Sequence, residues 1–188
     1  IWSNASSALC SYDTIHEAAF LSTCNRFEIY LSTSEPYSAT SYVLRYLANY
    51  TSNAISPTYL HQYMSVLVDR DAMLHLFNVA CGLDSLVVGE SQILDQVKRV
   101  HSKLANAAAP ALLPTILSRA ITTGKHVRKA TAISKGGVSI SSAATDFTSL
   151  TLADTASTPC APTTIRKSSI AVIGAGKMAK LLLQHLKT

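Results

Sequence analysis

The chain has 188 residues, of which 48% are apolar and 14% are charged, and its formal net charge at pH 7 is +5. This composition suffices for a hydrophobic core and excludes global disorder. No apolar run approaches the roughly 20 residues that a membrane-spanning helix needs. The four cysteines include no Cys-x-x-Cys pair, which argues against a zinc site and a secreted disulfide framework and fits a reducing compartment.

Cys24 lies between two segments that have the pattern of β-strands. Residues 17–32 predict two strands joined at the cysteine, because residues 27–31 alternate between apolar and polar side chains. Arg26, two residues further on, is permanently charged, and a nearby cation favours the thiolate, which is the form that attacks carbonyl groups. Cys24 is therefore a candidate nucleophile. The alternative is a small buried hydrophobe, as most free cysteines are.

Five helices and one further strand are predicted between residues 38 and 152. The helices are expected over residues 38–50, from 69 to the glycine at 82, and over 90–106, 111–130 and 139–152. The third of these carries an apolar stripe made of Ile93, Val97, Val100 and Leu104. Pro57 predicts a turn or a short helix, and residues 63–68 predict the additional strand.

The basic residues are concentrated in the middle of the chain. Residues 1–95 carry nine acids and three bases, whereas residues 96–145 carry eight bases and no acid. A segment of one charge sign and this length is typical of a surface that binds a polyanion such as RNA. Lys125, Arg128 and Lys129 share one helical face by their spacing and are the candidate contacts. A solvated helix face is the alternative.

A change of composition predicts a domain boundary over residues 151–168, which are rich in Ser, Thr and Pro and lack periodicity. Residues 169–173 then predict a buried strand, and residues 180–186 a helix. The motif between them is Gly174-Ala175-Gly176-Lys177-Met178-Ala179. Strand, glycine turn and helix in this order indicate the start of a dinucleotide-binding unit, in which the glycines let the pyrophosphate approach the backbone. The residues alone do not distinguish NAD from NADP.

Four motifs together resemble the glutamyl-tRNA reductase family. They are Leu21-Ser-Thr-Cys-Asn-Arg-Phe-Glu-Ile-Tyr30, His75-Leu-Phe-Asn-Val-Ala-Cys-Gly-Leu-Asp-Ser-Leu-Val-Val-Gly-Glu-Ser-Gln-Ile-Leu-Asp-Gln-Val-Lys98, Gly137-Val-Ser-Ile-Ser-Ser-Ala-Ala144 and Ile173-Gly-Ala-Gly-Lys-Met178. They occur in the order that the family shows and cover most of residues 17–188.

The resemblance implies an α/β chain in two parts. Residues 1–150 would be an α+β catalytic and substrate-binding domain that lacks its first strand, and residues 151–168 a linker. Residues 169–188 would be the truncated start of a Rossmann-type NADPH-binding domain. We expect the C-terminal dimerisation domain and any N-terminal targeting sequence to be missing from this fragment.

The family's reaction is the NADPH-dependent reduction of glutamyl-tRNA(Glu) to glutamate-1-semialdehyde, the entry step of the five-carbon route to tetrapyrroles such as heme and chlorophyll. By resemblance, Cys24 would attack the aminoacyl ester, release the tRNA and leave a glutamyl thioester. Reduction of that thioester would give the aldehyde. Covalent catalysis of this kind divides one difficult step into two easier ones.

The resemblance also assigns roles to single positions. Cys24 would be the nucleophile and His75 an acid or base; without the family match, His75 would be expected in a core or a cap. Arg26 suits the glutamate carboxylate because its guanidinium is a planar fork, and the charge of Glu90 suits the α-ammonium. Substrate binding would involve Thr23, Asn25, Arg26, Ser85, Glu90, Ser91, Gln92 and Gln96. Residues 174–179 would contact NADPH.

The resemblance extends to partners and location. It implies binding of glutamyl-tRNA(Glu), a homodimer when the protein is full length, and transfer of the product to glutamate-1-semialdehyde aminomutase. The expected location is the plastid stroma, with a bacterial or archaeal cytoplasm as the alternative.

Two other functions are weighed against this one. The first is a non-catalytic tRNA-binding relative, which would have no need for Cys24 together with Thr23, Asn25 and Arg26. The second is another NADP-dependent dehydrogenase that forms a thioester with a small acyl substrate. The acid-free segment of residues 96–145 argues against the second.

Overall fold

An antiparallel hairpin packed against helices forms the centre of the chain. The computed structural model describes residues 3–52, 54–104, 111–134, 140–155 and 169–186. The elements in chain order are α1 (Ser3–Leu9), β1 (Ile15–Ser22), β2 (Phe27–Thr33), α2 (Pro36–Tyr50), α3 (Pro57–His61), α4 (Asp69–Cys81), α5 (Gln92–Leu104), α6 (Leu112–Ala130), α7 (Ile140–Thr155) and α8 (Lys177–Leu186).

The hairpin has the two strands that the sequence predicts. β1 and β2 pair antiparallel from Ile15 opposite Thr33 to Ser22 opposite Phe27, with one irregularity near Glu17. β1 buries small and aliphatic side chains, whereas the side chains of β2 are half-buried or exposed. The pairing continues to Ser22 and Phe27, so that only four residues, 23–26, form the connecting loop.

The main core lies between β1 and the helices α4, α5 and α6. Its buried members are Leu21, Leu76, Val79, Ala80, Ile93, Leu94, Val97, Leu117, Ala120 and Ile121. The predicted stripe of α5 is confirmed: Ile93 and Val97 are buried, and Val100 and Leu104 pack at the edge of this core. Gly124 allows close contact between α6 and α4, because a Cβ there would lie 2.7 Å from the carbonyl oxygen of Ala80. These helices hold β1 and the segment between α4 and α5 in place, and both lie near Cys24.

A second, smaller core joins β1 to the first two helices. Leu9 of α1, Ala18 of β1 and Val43 of α2 are buried together. The rings of Tyr12 and Tyr42 stack beside them with their centroids 4.4 Å apart. β1 therefore contributes to both cores and joins the first two helices to α4, α5 and α6.

Two predicted strands are not formed. Residues 63–68 form no strand, and Val66, Leu67 and Val68 are exposed. Residues 169–173 also lack a ladder, and Ile173 is fully exposed. The only sheet in the described ranges is β1–β2, so neither apolar run has a neighbouring strand whose hydrogen bonds could define it. The strand predicted before the glycine motif is absent from the part of the chain that the structure describes.

The helical predictions are confirmed with small shifts at their ends. Pro57 opens α3, and α4 ends at Gly82, which has the left-handed φ of 79° that glycine adopts without strain. α7 continues to Thr155 and so includes the first residues of the predicted linker. The rest of that linker, residues 156–168, lies outside the described residues. Among the described helices, none combines the length and apolar character needed to cross a bilayer.

Glu17 of β1 caps the N-terminus of α6. Its two carboxylate oxygens accept the backbone N–H groups of Leu112 and Leu113, each at 2.6 Å. The N-cap residue itself, Ala111, has no side chain that could do this. The carboxylate satisfies two N–H groups that have no partner within the helix, and its charge interacts favourably with the helix dipole.

We expect Glu17→Ala to lower the free energy of unfolding by about 1 kcal/mol, as loss of a helix cap does. Urea denaturation monitored by circular dichroism measures the change. The matched control is Glu35→Ala, because Glu35 occupies the N-cap of α2 but makes no side-chain cap bond. An equal effect of the two substitutions would contradict the capping role of Glu17.

Candidate functional site

The hairpin loop presents Cys24 to solvent. The N–H of Thr23 donates to the carbonyl oxygen of Arg26 at 2.9 Å. The hydroxyl oxygen of Thr23 accepts the N–H groups of Asn25 at 3.1 Å and Arg26 at 3.0 Å. Such local side-chain bonds stabilise a tight turn. Thr23 thus fixes the loop, and Cys24 at its tip is a free and exposed thiol.

A second loop, residues 82–91, faces the hairpin loop from the junction of α4 and α5. Gly82 and Gly89 both have positive φ values, 79° and 84°. The N–H of Gly89 donates to the carbonyl oxygen of Gly82 at 2.9 Å and closes the loop at its base. The loop therefore has a defined shape, and it carries Ser85 and Glu90 toward the hairpin.

The two loops and the start of α5 line one small pocket. The side chains that line it are those of Thr23, Cys24, Asn25, Arg26, Ser85, Leu86, Glu90, Gln92, Ile93 and Gln96. Eight of these were predicted from the sequence as nucleophile or substrate contacts. The Ser85 hydroxyl is buried and has no hydrogen-bond partner, so the pocket holds an unused polar group.

Two predicted site residues do not line this pocket. Ser91 is exposed just before α5 and is not among the lining residues. His75 borders a neighbouring depression with Asn78, Leu83 and Asp84. It reaches the Cys24 pocket only through a chain of hydrogen bonds that passes through Glu28 and Arg26.

Glu28 is the centre of that chain, and the sequence analysis did not single it out. Its Oε1 lies 2.7 Å from Arg26 Nη1 and 2.9 Å from His75 Nε2, and its Oε2 accepts the Tyr30 hydroxyl at 2.5 Å. An ionised carboxylate only accepts hydrogen bonds, so His75 Nε2 carries the hydrogen in this bond. Glu28 thereby fixes the orientation of both His75 and Arg26.

Asp84 is the second functional neighbour that the sequence analysis missed. Its Oδ2 lies 3.0 Å from Arg26 Nη1, and its carbonyl oxygen accepts Arg26 Nη2. The side chain of Asp84 is 56% exposed, whereas that of Glu28 is 17% exposed and that of Arg26 is 11% exposed. The guanidinium thus has one sheltered carboxylate partner and one that is open to solvent.

The pKa shifts follow from these contacts. Burial alone would raise the pKa of Glu28, but hydrogen bonds from Tyr30, His75 and Arg26 outweigh it and hold that pKa below its ordinary value. Burial, and then the bond to Glu28, raises the pKa of Tyr30. Burial would lower the pKa of Arg26, but its bonds to Glu28 and Asp84 raise it. Glu28 and Arg26 are therefore both charged, and Tyr30 is neutral.

The positive charge of Arg26 is compensated by its two carboxylate partners. One guanidinium and two carboxylates leave this cluster with a net charge of −1 when Asp84 is ionised. The cation that was predicted to favour the Cys24 thiolate is therefore already compensated. The sequence places Arg26 near Cys24 but does not reveal that Glu28 and Asp84 fold against its guanidinium.

The predicted polyanion contacts on α6 separate into two kinds. Lys125 and Lys129 are exposed. Arg128 is turned toward the 82–91 loop and donates to the carbonyl oxygens of Gly89 and Glu90 at 2.8 and 2.6 Å. Arg128 thus differs from the two lysines, because its guanidinium is bonded to backbone carbonyl groups of the loop.

The glycine motif is open to solvent at the start of α8. No atom lies within 4 Å of a Cβ placed on Gly174 or Gly176, and Gly174 has a φ of 123°. Ala175 and Met178 are exposed, Ala179 is half-buried, and Lys177 is the first residue of α8. Open glycines before a helix N-terminus suit a phosphate group. The helix of the predicted unit is present, whereas its strand is not.

The exposed thiol of the hairpin loop faces a polar pocket that a second loop completes. Similarity to known proteins covers the same residues. The model of the family described as "Glutamyl-tRNAGlu reductase, N-terminal domain" matches residues 2–131. The chain belongs to the glutamyl-tRNA reductase family.

Curated relatives are similar to this chain over almost its whole length. Proteins named glutamyl-tRNA reductase from Cyanothece sp. and Cyanophora paradoxa are 45% and 43% identical to it over 180 residues, which is 95% of this chain and 39% of each relative. The protein of that name from Trichodesmium erythraeum is 41% identical over 185 residues, 97% of this chain and 40% of the relative. The chain thus spans about two fifths of the length of these relatives.

Proposed function

We propose that this chain is the substrate-binding and acyl-accepting part of an enzyme that reduces glutamyl-tRNA(Glu) to glutamate-1-semialdehyde, the entry step of tetrapyrrole synthesis. One observation carries the proposal: Cys24 shares a pocket with Ser85, Glu90, Gln92 and Gln96. A nucleophile beside groups that can bind the α-ammonium and the side-chain carboxylate of a glutamyl ester is what acyl transfer from that ester requires.

Cys24 is the nucleophile of the first step. Its thiolate attacks the carbonyl carbon of the ester that joins glutamate to the terminal ribose of the tRNA. A bond forms between sulfur and carbon, the bond between that carbon and the ribose oxygen breaks, and the ribose oxygen takes a proton. The products are a glutamyl thioester on Cys24 and free tRNA.

The pocket residues hold the glutamyl group during this step. The Ser85 hydroxyl, which is buried without a partner, is available to a polar substrate atom. The carboxylate of Glu90 suits the α-ammonium group, and the amides of Gln92 and Gln96 can donate and accept in the same space. Ser91 is exposed outside the pocket, so we give it no direct contact.

Arg26 and His75 act through the Glu28 network. Arg26 lines the pocket and suits a substrate carboxylate, but it already contacts Asp84. The exposed Asp84 is the partner that a substrate carboxylate would replace, while Glu28 keeps the guanidinium in place. The bond to Glu28 orients His75 in the neighbouring depression, so as an acid or base it would serve groups beside the pocket and not the sulfur directly.

NADPH is the proposed cofactor, and when bound it supplies the hydride that converts the thioester to the aldehyde. The residues that would contact its phosphates are those of the glycine motif, 174–179. Gly174 and Gly176 leave space for a phosphate beside their backbone, and α8 begins directly after them. This role depends on a Rossmann-type domain, to which residues 169–188 contribute the first unit.

The partners and the location of the enzyme are proposed from the same resemblance. The exposed Lys125 and Lys129 are the candidate contacts to the tRNA backbone. The full-length protein would be a homodimer that passes its product to glutamate-1-semialdehyde aminomutase. The relatives from cyanobacteria and from Cyanophora paradoxa support a plastid stroma, with a bacterial or archaeal cytoplasm as the alternative.

The test of this function is to trap the acyl-enzyme. We expect the full-length protein, mixed with glutamyl-tRNA(Glu) while NADPH is withheld, to accumulate one glutamyl group on Cys24. Intact-protein and peptide mass spectrometry at acidic pH detects the adduct, and hydroxylamine should remove it, as it does a thioester. Uncharged tRNA is the matched control. An adduct on Cys10, or none at all, would contradict the proposed mechanism.

A further inference from the structure

The guanidinium of Arg128 connects α6 to both ends of the 82–91 loop. Nη1 donates to the carbonyl oxygen of Gly89 at 2.8 Å, and Nη2 donates to that of Glu90 at 2.6 Å. Nη2 also lies 3.5 Å from the carbonyl oxygen of Cys81, the last residue of α4. One side chain therefore contacts the backbone where the loop leaves α4 and where it returns toward α5.

The surroundings of this guanidinium are built to receive it. A Cβ on Gly82 would lie 3.1 Å from Arg128 Nη2 and 3.3 Å from the carbonyl oxygen of Glu90, so the glycine leaves the space that the cation uses. Arg128 Nε is buried without a partner, so the bonds that orient the side chain are those of its two Nη atoms. A charge-assisted bond to a carbonyl at the C-terminal end of a helix is also favoured by the helix dipole.

We infer that Arg128 is a positioning residue for the pocket and not a contact to tRNA. By fixing the carbonyl groups of Gly89 and Glu90 it sets where the Glu90 and Ser85 side chains stand relative to Cys24. This inference rests on the proposed function, because it takes Ser85 and Glu90 as the groups that hold the glutamyl moiety. Arg128 therefore has a different role from Lys125, which lies on the same helix and has the same charge but is exposed.

The first measurement is independent of activity. In the full-length protein, amide hydrogen exchange over residues 83–90 should become faster in Arg128→Gln, while residues 15–22 of β1 keep their protection. Lys125→Gln and Arg45→Gln are the matched controls and should leave the loop unchanged. Unchanged exchange of the loop in Arg128→Gln would overturn the inference, whatever the reaction that the enzyme catalyses.

The second measurement separates positioning from tRNA binding. Arg128→Gln should lower kcat for glutamyl-tRNA by about 10- to 100-fold, the cost of a displaced reacting geometry, and leave the affinity for uncharged tRNA and its salt dependence unchanged. Lys125→Gln should instead weaken tRNA binding and reduce the salt slope by about 1. Weakened tRNA binding by Arg128→Gln with unaltered kcat would reject the inference.

Arg128→Lys keeps the charge but loses the two-pronged bond. Its kcat should fall between those of wild type and Arg128→Gln.

A double-mutant cycle with Ser85→Ala identifies the route of the effect. If Arg128 acts by placing Ser85, the second substitution should cost little in the Arg128→Gln background, whereas independent roles give additive losses. Additive losses would contradict the inference. Failure of wild-type protein to acylate Cys24 would instead remove the proposed function, and the exchange measurement would still decide whether Arg128 holds the loop.

Discussion

Replacement of Cys24 by serine is expected to lower the rate of glutamyl-tRNA reduction by about 10³-fold or more, the scale of losing a catalytic nucleophile. A thiol has a small thiolate fraction at neutral pH and is intrinsically nucleophilic, whereas a serine hydroxyl needs an adjacent general base. The described pocket offers serine no histidine, because His75 lies in the next depression and is bonded to Glu28. An ester formed on serine would also be a poorer acceptor of hydride than a thioester.

The control for this substitution is Cys10→Ser. Cys10 is exposed like Cys24 but follows α1, away from the pocket, so its replacement should leave turnover unchanged. Cys81 is a poorer control, because it is buried in α4 and its loss would affect packing. Turnover is measured as NADPH oxidation by the full-length protein with glutamyl-tRNA(Glu). More than about a tenth of wild-type turnover in Cys24→Ser would contradict covalent catalysis by Cys24.

The sequence predicts best where a local pattern decides the structure. The alternation of residues 27–31 predicts a strand and the stripe of α5 predicts a helix with one buried face; β2 forms, although its side chains are half-buried or exposed without alternation, and the stripe is confirmed. The eight predicted residues that line the pocket come from two motifs separated by about fifty residues, and the packing of β1 against α5 brings them together. The structure brings these residues together, and their roles in binding and catalysis stay predictions from the resemblance.

The sequence fails where the partner of a group lies on another element. The spacing of residues 125, 128 and 129 describes a helical face, but only the fold reveals that the 82–91 loop receives Arg128. Glu28 occupies a polar position of β2, where an exposed carboxylate is expected, yet Tyr30, His75 and Arg26 shelter it. A strand likewise exists only with a neighbour, which residues 64–68 and 169–173 lack within the described ranges.

The Glu28 network provides the largest expected effect on stability. We expect Glu28→Gln to lower the free energy of unfolding at pH 7 by about 2–4 kcal/mol, because it leaves the sheltered Arg26 without its principal counter-charge and weakens the bonds to Tyr30 and His75. Glutamine has nearly the same shape, so packing is preserved. The matched control is Asp84→Asn, which removes the solvent-exposed partner of the same guanidinium and should cost about 0–1 kcal/mol. Urea denaturation of the full-length protein measures both, and equal losses would contradict the central role of Glu28.

The pH dependence of the same difference tests its electrostatic origin. The pKa of Glu28 is lower in the folded chain than its ordinary value, which is about 4.3 in an unfolded chain. Its ionised form therefore contributes stability that is fully present above pH 4.3 and is lost as the pH falls through the folded pKa. The stability difference between wild type and Glu28→Gln should accordingly shrink as the pH falls below about 4. A difference that remains constant to pH 3 would assign the effect of Glu28 to shape and neutral hydrogen bonds and not to its charge, since protonation would then cost the network nothing.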